Sequence, residues 1–240
     1  MLNRSVLAMT LVGALVASQF ASAHVGFFRD SNNLPITGNT IIATLNVPHG
    51  CHDAADVGYD TNKIEVKMPA GVALSSVMPM HSTFGKVKIV KDNAGKVSSL
   101  VWEQKTEDVQ TEASHFYQVS FRVALSTING TTTTPIPAFS TLGFETTQYC
   151  GANNQLSEVW TGANTPTLYI LPKRGLGWNK YTVPNTLDLT GTAKNFFTDA
   201  AIVWKNKEGH SANGQTLELI KKNATQLLTI PAGSDIWVKY

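Results

Sequence analysis

The residue with the most distinctive chemistry to offer is His24. It comes directly after Ala21-Ser22-Ala23, and ahead of that lie Arg4 and the apolar stretch Val6–Ala17. A basic start, a short apolar stretch and an A-x-A site together read as a secretory signal peptide. The apolar stretch falls short of the roughly 20 residues that cross a bilayer. Cleavage after Ala23 is expected to leave a chain of 217 residues that begins at His24. Its α-amine and imidazole Nδ1 then chelate one metal ion in a six-membered ring. An α-amine with a pKa of about 8 gives up its proton cheaply to a strongly bound metal. Two nitrogens in one plane suit Cu(II), which heads the divalent affinity series and favours tetragonal N/O sites.

Cys51 and Cys150 are the only cysteines. In an exported chain they are expected to pair, closing a long loop and tying an early strand to a late one. The alternative is a metal site in which both thiolates bind with His49 and His52, which flank Cys51; outside the cytoplasm it competes with oxidation. His49 also suits copper as an imidazole ligand, against its simpler role of bracing the turn before Cys51. Met78-Pro79-Met80-His81 offers thioethers to Cu(I) on a thin basis, and His52, His81, His115 and His210 read as solvated or structural.

The elements that hold these residues show period-2 patterns: Thr40–Val47, Lys63–Met68, Lys86–Val90, Leu100–Gln104, Phe116–Leu125, Phe139–Thr147 and Thr167–Leu171. Phe116, Val119, Phe121 and Val123 are the expected core of the fifth. Turns are marked by Pro69-Ala70-Gly71, Asn93-Ala94-Gly95 and Asn129-Gly130. No segment shows a 3.6-residue apolar stripe of helical length. The expected class is all-β, an immunoglobulin-like antiparallel β-sandwich over 24–171 after a signal peptide at 1–23. Residues 172–240 are expected to form a small C-terminal extension or subdomain, with apolar runs at Ala200–Trp204, Thr216–Ile220 and Asp235–Tyr240.

With 19 basic against 17 acidic residues, the chain has no basic stripe for nucleic acid. At 42% hydrophobic content and small net charge it is not a disordered chain. No G-x-S-x-G elbow, phosphate loop or H-E-x-x-H motif points to hydrolysis.

Several motifs run in a telling order: His24-Val25, Val47-Pro48-His49-Gly50-Cys51, Lys67-Met68-Pro69-Ala70-Gly71-Val72, Val101-Trp102, Phe116-Tyr117, Thr147-Gln148-Tyr149-Cys150 and Glu158-Val159-Trp160-Thr161-Gly162. As an ordered set over residues 24–171 they resemble the YcnI-like family. The resemblance implies an exported bacterial β-sandwich that binds Cu(II) through a single histidine brace. It assigns the brace to His24, a neighbouring tryptophan to Trp160, and an oxygen ligand to a carboxylate. Family members usually place a glutamate a few residues after the histidine in a Pro-rich stretch. Here that stretch reads Gly26 to Asn33, and Asp30 is its only acid. Asp30 is therefore the candidate, with Glu145 and Glu158 as alternatives from later strands.

The function expected from these residues is that of an exported, periplasmic or extracellular copper carrier. Its expected partners are copper and another copper-handling or membrane copper-transport protein. No small-molecule substrate is identified. An oxygenase built on the N-terminal histidine is the alternative enzyme, and a metal-free structural or adhesion module the alternative scaffold.

Overall fold

Alternation along the longest strands decides the architecture. In β2 (Thr40–Val47) Ile41, Ala43, Leu45 and Val47 are buried, and in β9 (Tyr117–Ala124) Val119, Phe121 and Val123 are buried. Two such half-apolar strands paired antiparallel present one apolar face, which must be covered by a second sheet. The computed structural model describes residues 24–28, 34–69, 76–125, 135–190 and 197–240.

One sheet runs β1 (Gly26–Phe27), β2, β9, β6 (Met78–Pro79). The facing sheet runs β12 (Leu156–Trp160), β11 (Thr146–Cys150), β5 (Thr61–Lys67), β8 (Val97–Glu103), β7 (Lys86–Lys91). All pairs in both are antiparallel. Between the sheets lies one core, with Leu45, Ile64, Leu100, Trp102, Phe121 and Phe144 fully enclosed. The immunoglobulin-like antiparallel sandwich expected from the sequence is therefore the fold. A ribbon of β10 (Ser140–Gly143) and β13 (Thr167–Ile170) lies against β1, and the short pair β3 (Cys51–His52) and β4 (Gly58–Tyr59) caps one end.

The β7–β8 hairpin turns where Asn93-Ala94-Gly95 predicts it. Asp92 Oδ1 accepts from the amides of Ala94 and Lys96, both at 2.9 Å, and Gly95 takes a φ of 75°. Of the other two predicted turns, Ala70-Gly71 and Asn129-Gly130 lie outside the described residues.

Two expectations are corrected, and one further apolar run proves helical. Phe116 is 57% exposed, because the buried face of β9 falls on odd-numbered residues and Phe116 has the wrong parity. Phe139–Thr147 is two strands, broken at Phe144-Glu145, where the chain leaves β13 and joins β5. Leu142, Phe144, Thr146 and Gln148 stay buried in turn through the break, so the period-2 signal is continuous although the partners change. Thr216–Ile220 is helical, within α1 (Gly214–Asn223). Asn213 caps it by accepting from the Thr216 amide at 3.0 Å, and Lys221 and Lys222 complement the dipole at its far end. Ile220 is its one buried residue, so it carries no apolar stripe.

The C-terminal segment forms a sheet in the order β14 (Trp178–Thr182), β20 (Asp235–Lys239), β16 (Ile202–Lys205), β17 (Glu208–His210), β18 (Thr225–Gln226), beside the pair β15 (Leu187–Asp188) and β19 (Thr229–Ile230). Only β17–β18 is parallel. Its core of Tyr181, Val183, Leu227, Ile230, Ile236 and Val238 also takes in Ala138, Phe139 and Leu171 from before the expected boundary. Arg174 pairs with Asp199 and lies over the Tyr240 ring, 4.3 Å from its centroid, which pins the connecting segment to the last residue.

Candidate metal centre

His24 is positioned by its three successors in the chain. Val25 is buried, and Gly26 and Phe27 pair with Asn46 and Leu45. The Phe27 ring packs edge-on against Phe144 at 5.0 Å and against Phe121 at 6.5 Å. Three apolar contacts thus anchor the strand, while His24 itself is exposed. Its imidazole meets the indole of Trp160 at a centroid distance of 5.0 Å and an interplanar angle of 85°. Such an edge-to-face arrangement is the favoured geometry for two aromatic rings. Trp160 ends β12, pairs with Thr146 and is only 7% exposed. Its Nε1–H is buried with no acceptor among the described residues, an uncommon state for an indole.

The carboxylate candidates separate clearly. Asp30 lies outside the described residues. Glu145 is exposed and holds Lys67 Nζ at 3.2 Å. Glu158 is half-buried, two residues before Trp160 and hence on the same face of β12, and forms no ion pair among the described residues. Its cross-strand neighbour is Gln148. The sequence signal for Glu158 is the i, i+2 spacing from Trp160, which becomes informative only once the strand is known.

His49 comes just after β2, at the end of the β1–β2 pair that also carries His24, since Asn46 lies opposite Gly26. Its Nδ1–H donates to the Gly50 carbonyl, and its own carbonyl accepts from Gln148 Nε2 at 2.7 Å. Its ring sits 6.1 Å from that of His52. These contacts brace the loop that leads into Cys51. His115 stacks beside Tyr117, with Nδ1 4.0 Å from the fully buried Asp60. Asp60 accepts from the Tyr117 hydroxyl at 2.8 Å and the Gln110 amide at 2.9 Å. Burial first, and then this carboxylate, push the Tyr117 hydroxyl up to about 12.

Met78 and Met80 belong to β6 and its end, at the opposite edge of the four-stranded sheet from β1. They do not join His24. Cys51 and Cys150 form a disulfide with a Cα–Cα distance of 5.8 Å, so the thiolate metal site is not formed. Among the described residues no three His, Cys, Asp or Glu side chains are grouped as a ready-made cage. No described helix is long and apolar enough to cross a membrane.

A brace needs fewer side chains than a cage, because one residue supplies two nitrogens. The ligating groups here match that demand in kind: an exposed imidazole, and a half-buried carboxylate two residues along β12 from the indole that packs against that imidazole. They would hold Cu(II) through nitrogen first and oxygen second.

No protein-family model matches the chain, and no curated protein matches it. Among solved structures it is similar to an uncharacterized protein from Nocardia farcinica, described as having an immunoglobulin-like fold. The two share 13% identity and a TM-score of 0.44, covering 63% of this chain and 99% of the other.

Proposed function

We propose that the protein is exported, that cleavage after Ala23 frees the His24 α-amine, and that His24 then binds Cu(II) as a single-residue brace. The observation that carries this reading is the contact between the His24 imidazole and Trp160. Among the carboxylates of the described residues, Glu158 is the best placed to add oxygen. The protein is a carrier or chaperone rather than an enzyme. The reading asks only for His24, one carboxylate and a covering indole, whereas an oxygenase needs a second imidazole at the metal, and His49 is engaged in its own loop. The exposed position at a sheet edge suits transfer of copper to another copper-handling protein.

The test compares the chain starting at His24 with one carrying a single glycine before it. Competition against a Cu(II) chelator should show at least a hundredfold weaker binding in the extended chain. Electron paramagnetic resonance should count two nitrogens in the first and fewer in the second. Equal affinity of the two chains would sink the brace. Peroxide with reduced copper protein and polysaccharide tests the oxygenase, and soluble oxidised sugars would displace the carrier reading.

A further inference from the structure

The five-stranded C-terminal sheet has one face on its core, while its other face is open over β14 and β20 and meets α1 at β17. Tyr181, Val203, Ile236 and Val238 point inward and are buried. Alternation sends Trp178, Lys180 and Thr182 of β14, Asp235, Trp237 and Lys239 of β20, and Ile202 and Trp204 of β16 to the other face. Trp178 is 52% exposed and Trp237 46%. Half-exposed tryptophans gathered on one sheet face are the kind of apolar surface that marks a binding site.

The register fixes their layout. Trp178 lies opposite Lys239, while Lys180, Trp237 and Trp204 form one row across three strands. With strands about 4.8 Å apart and alternate residues about 6.7 Å apart along a strand, Trp178 and Trp204 are separated by about 12 Å. Opposite Trp204 on its far side stands Gly209, where a Cβ would lie 2.4 Å from the indole. The Trp204 ring therefore leans over Gly209, away from Trp237. The three indoles spread across the sheet instead of covering one another. Beyond Trp204 the surface continues into an open groove of about 630 Å³ against α1, lined also by Ile202, Thr216, Leu219 and Asn223.

We infer that this face is a platform for a neutral, β-linked glycan. The ligand must be flat, because the indoles are borne on a sheet and not around a cleft. It must be amphipathic, because polar groups stand between the rings. Equatorially substituted sugar rings meet both demands: their C–H bonds face an aromatic ring, and their hydroxyls project sideways toward hydrogen-bonding groups. The charge argues for neutrality. Lys180 is held by Asp235 at 2.7 Å, and Asp235 also accepts from Thr182 at 2.6 Å, so among the described residues Lys239 is the one unpaired charge between the indoles. Single-stranded nucleic acid also stacks on tryptophan but needs a cationic track for its phosphates. A face-to-face second copy would desolvate the Lys180–Asp235 pair.

The experiment uses metal-free protein and titrates cellohexaose and chitohexaose, with maltohexaose as the α-linked control and oligothymidine as the nucleic-acid control. Calorimetry should show binding of at least one β-linked hexaose, with a blue shift of tryptophan fluorescence, and little binding of either control. Trp178→Ala and Trp237→Thr should each weaken binding roughly tenfold, the scale of one stacked ring. Both side chains are half-exposed, so thermal unfolding should be nearly unchanged and loss of binding is separable from loss of fold. Three results overturn the inference: no hexaose binding in the parent protein, unaltered binding in both variants, or binding of oligothymidine alone. Self-association detected by sedimentation and abolished by Trp237→Thr, without sugar binding, overturns it too.

Discussion

Breaking the Cys51–Cys150 bond should cost the protein as much as deleting a large core side chain of the sandwich. The bond spans 99 residues, and in the chain-entropy picture a loop of about that length is worth about 4.7 kcal/mol. That figure assumes a native state that keeps its shape once the bond is gone, and the surrounding contacts argue that it does. Gln148 Nε2 donates both to the His49 carbonyl at 2.7 Å and to Thr61 Oγ1 at 2.8 Å. The Gly50 amide donates to Ala113 at 2.7 Å, and the Gly151 amide to Asp60 at 2.8 Å. Both cysteine segments are therefore held independently of sulfur, and the loss falls on the unfolded chain. With a urea m-value of about 2 kcal/mol/M, the midpoint should drop by about 2 M. The assay is urea unfolding of the oxidised protein, the reduced protein and Cys51→Ala/Cys150→Ala, monitored by tryptophan fluorescence. The reduced protein retains the sulfur volume, so its difference from the double variant isolates the cavity left at two buried sites. A reduced protein within about 1 kcal/mol of the oxidised one refutes the entropic account for this loop.

The remaining predictions concern the site and its supports. Trp160→Ala should lose about 3–5 kcal/mol of stability, whereas Trp160→Phe should fold well and lose the Cu(II)-dependent part of the fluorescence quenching. Gly50→Ala should destabilise by about 1–3 kcal/mol or more in urea unfolding, because its Cβ would lie 1.9 Å from the Tyr59 carbonyl oxygen. Since the Tyr117 hydroxyl is raised to about 12 from an ordinary 10, the stability it lends is intact below pH 10 and drains away as pH rises toward 12. Thermal unfolding across that window should be flatter for Tyr117→Phe. A chain ending at residue 171 should aggregate or melt early, because it uncovers Ala138, Phe139 and Leu171; a monomer with the parent melting temperature would contradict this.

Much of the sandwich is legible in the residues, because β2, β5 and β9 each alternate along most of their length. What alternation cannot supply is parity and partnership. Phe116 is as apolar as Phe121, and only pairing with β2 decides which of the two faces the core. The β10–β11 break leaves no mark, since the buried residues keep their spacing while the hydrogen-bond partner changes. Helix α1 buries too little to print a stripe, and its clearest signal is the capping Asn213. The site divides in the same way. His24 stands out from its place after Ala23, but Glu158 emerges only when β12 puts it on the face of Trp160.

Sheet edges explain why the candidate site sits where it does. β1 is an edge strand of one sheet and β12 an edge strand of the other. Edges expose unpaired backbone groups and are usually kept short or covered. Here β1 has two paired residues and is fastened by Val25 and Phe27, and the contact between His24 and Trp160 joins the two edges from outside. A side chain in the middle of either sheet faces the core or solvent, while one at this margin faces the opposite edge. Donors from both sheets can converge there without burying a charge in the core, where desolvation would oppose it. The C-terminal sheet answers a different problem with the same economy. Its bridge to the preceding chain, from Thr182 to Pro137, and the core residues it shares with Ala138, Phe139 and Leu171 all draw on its inner face. Trp204 still packs over Gly209, but the half-exposed Trp178 and Trp237 contribute little to folding, and their presence there needs a reason outside the fold.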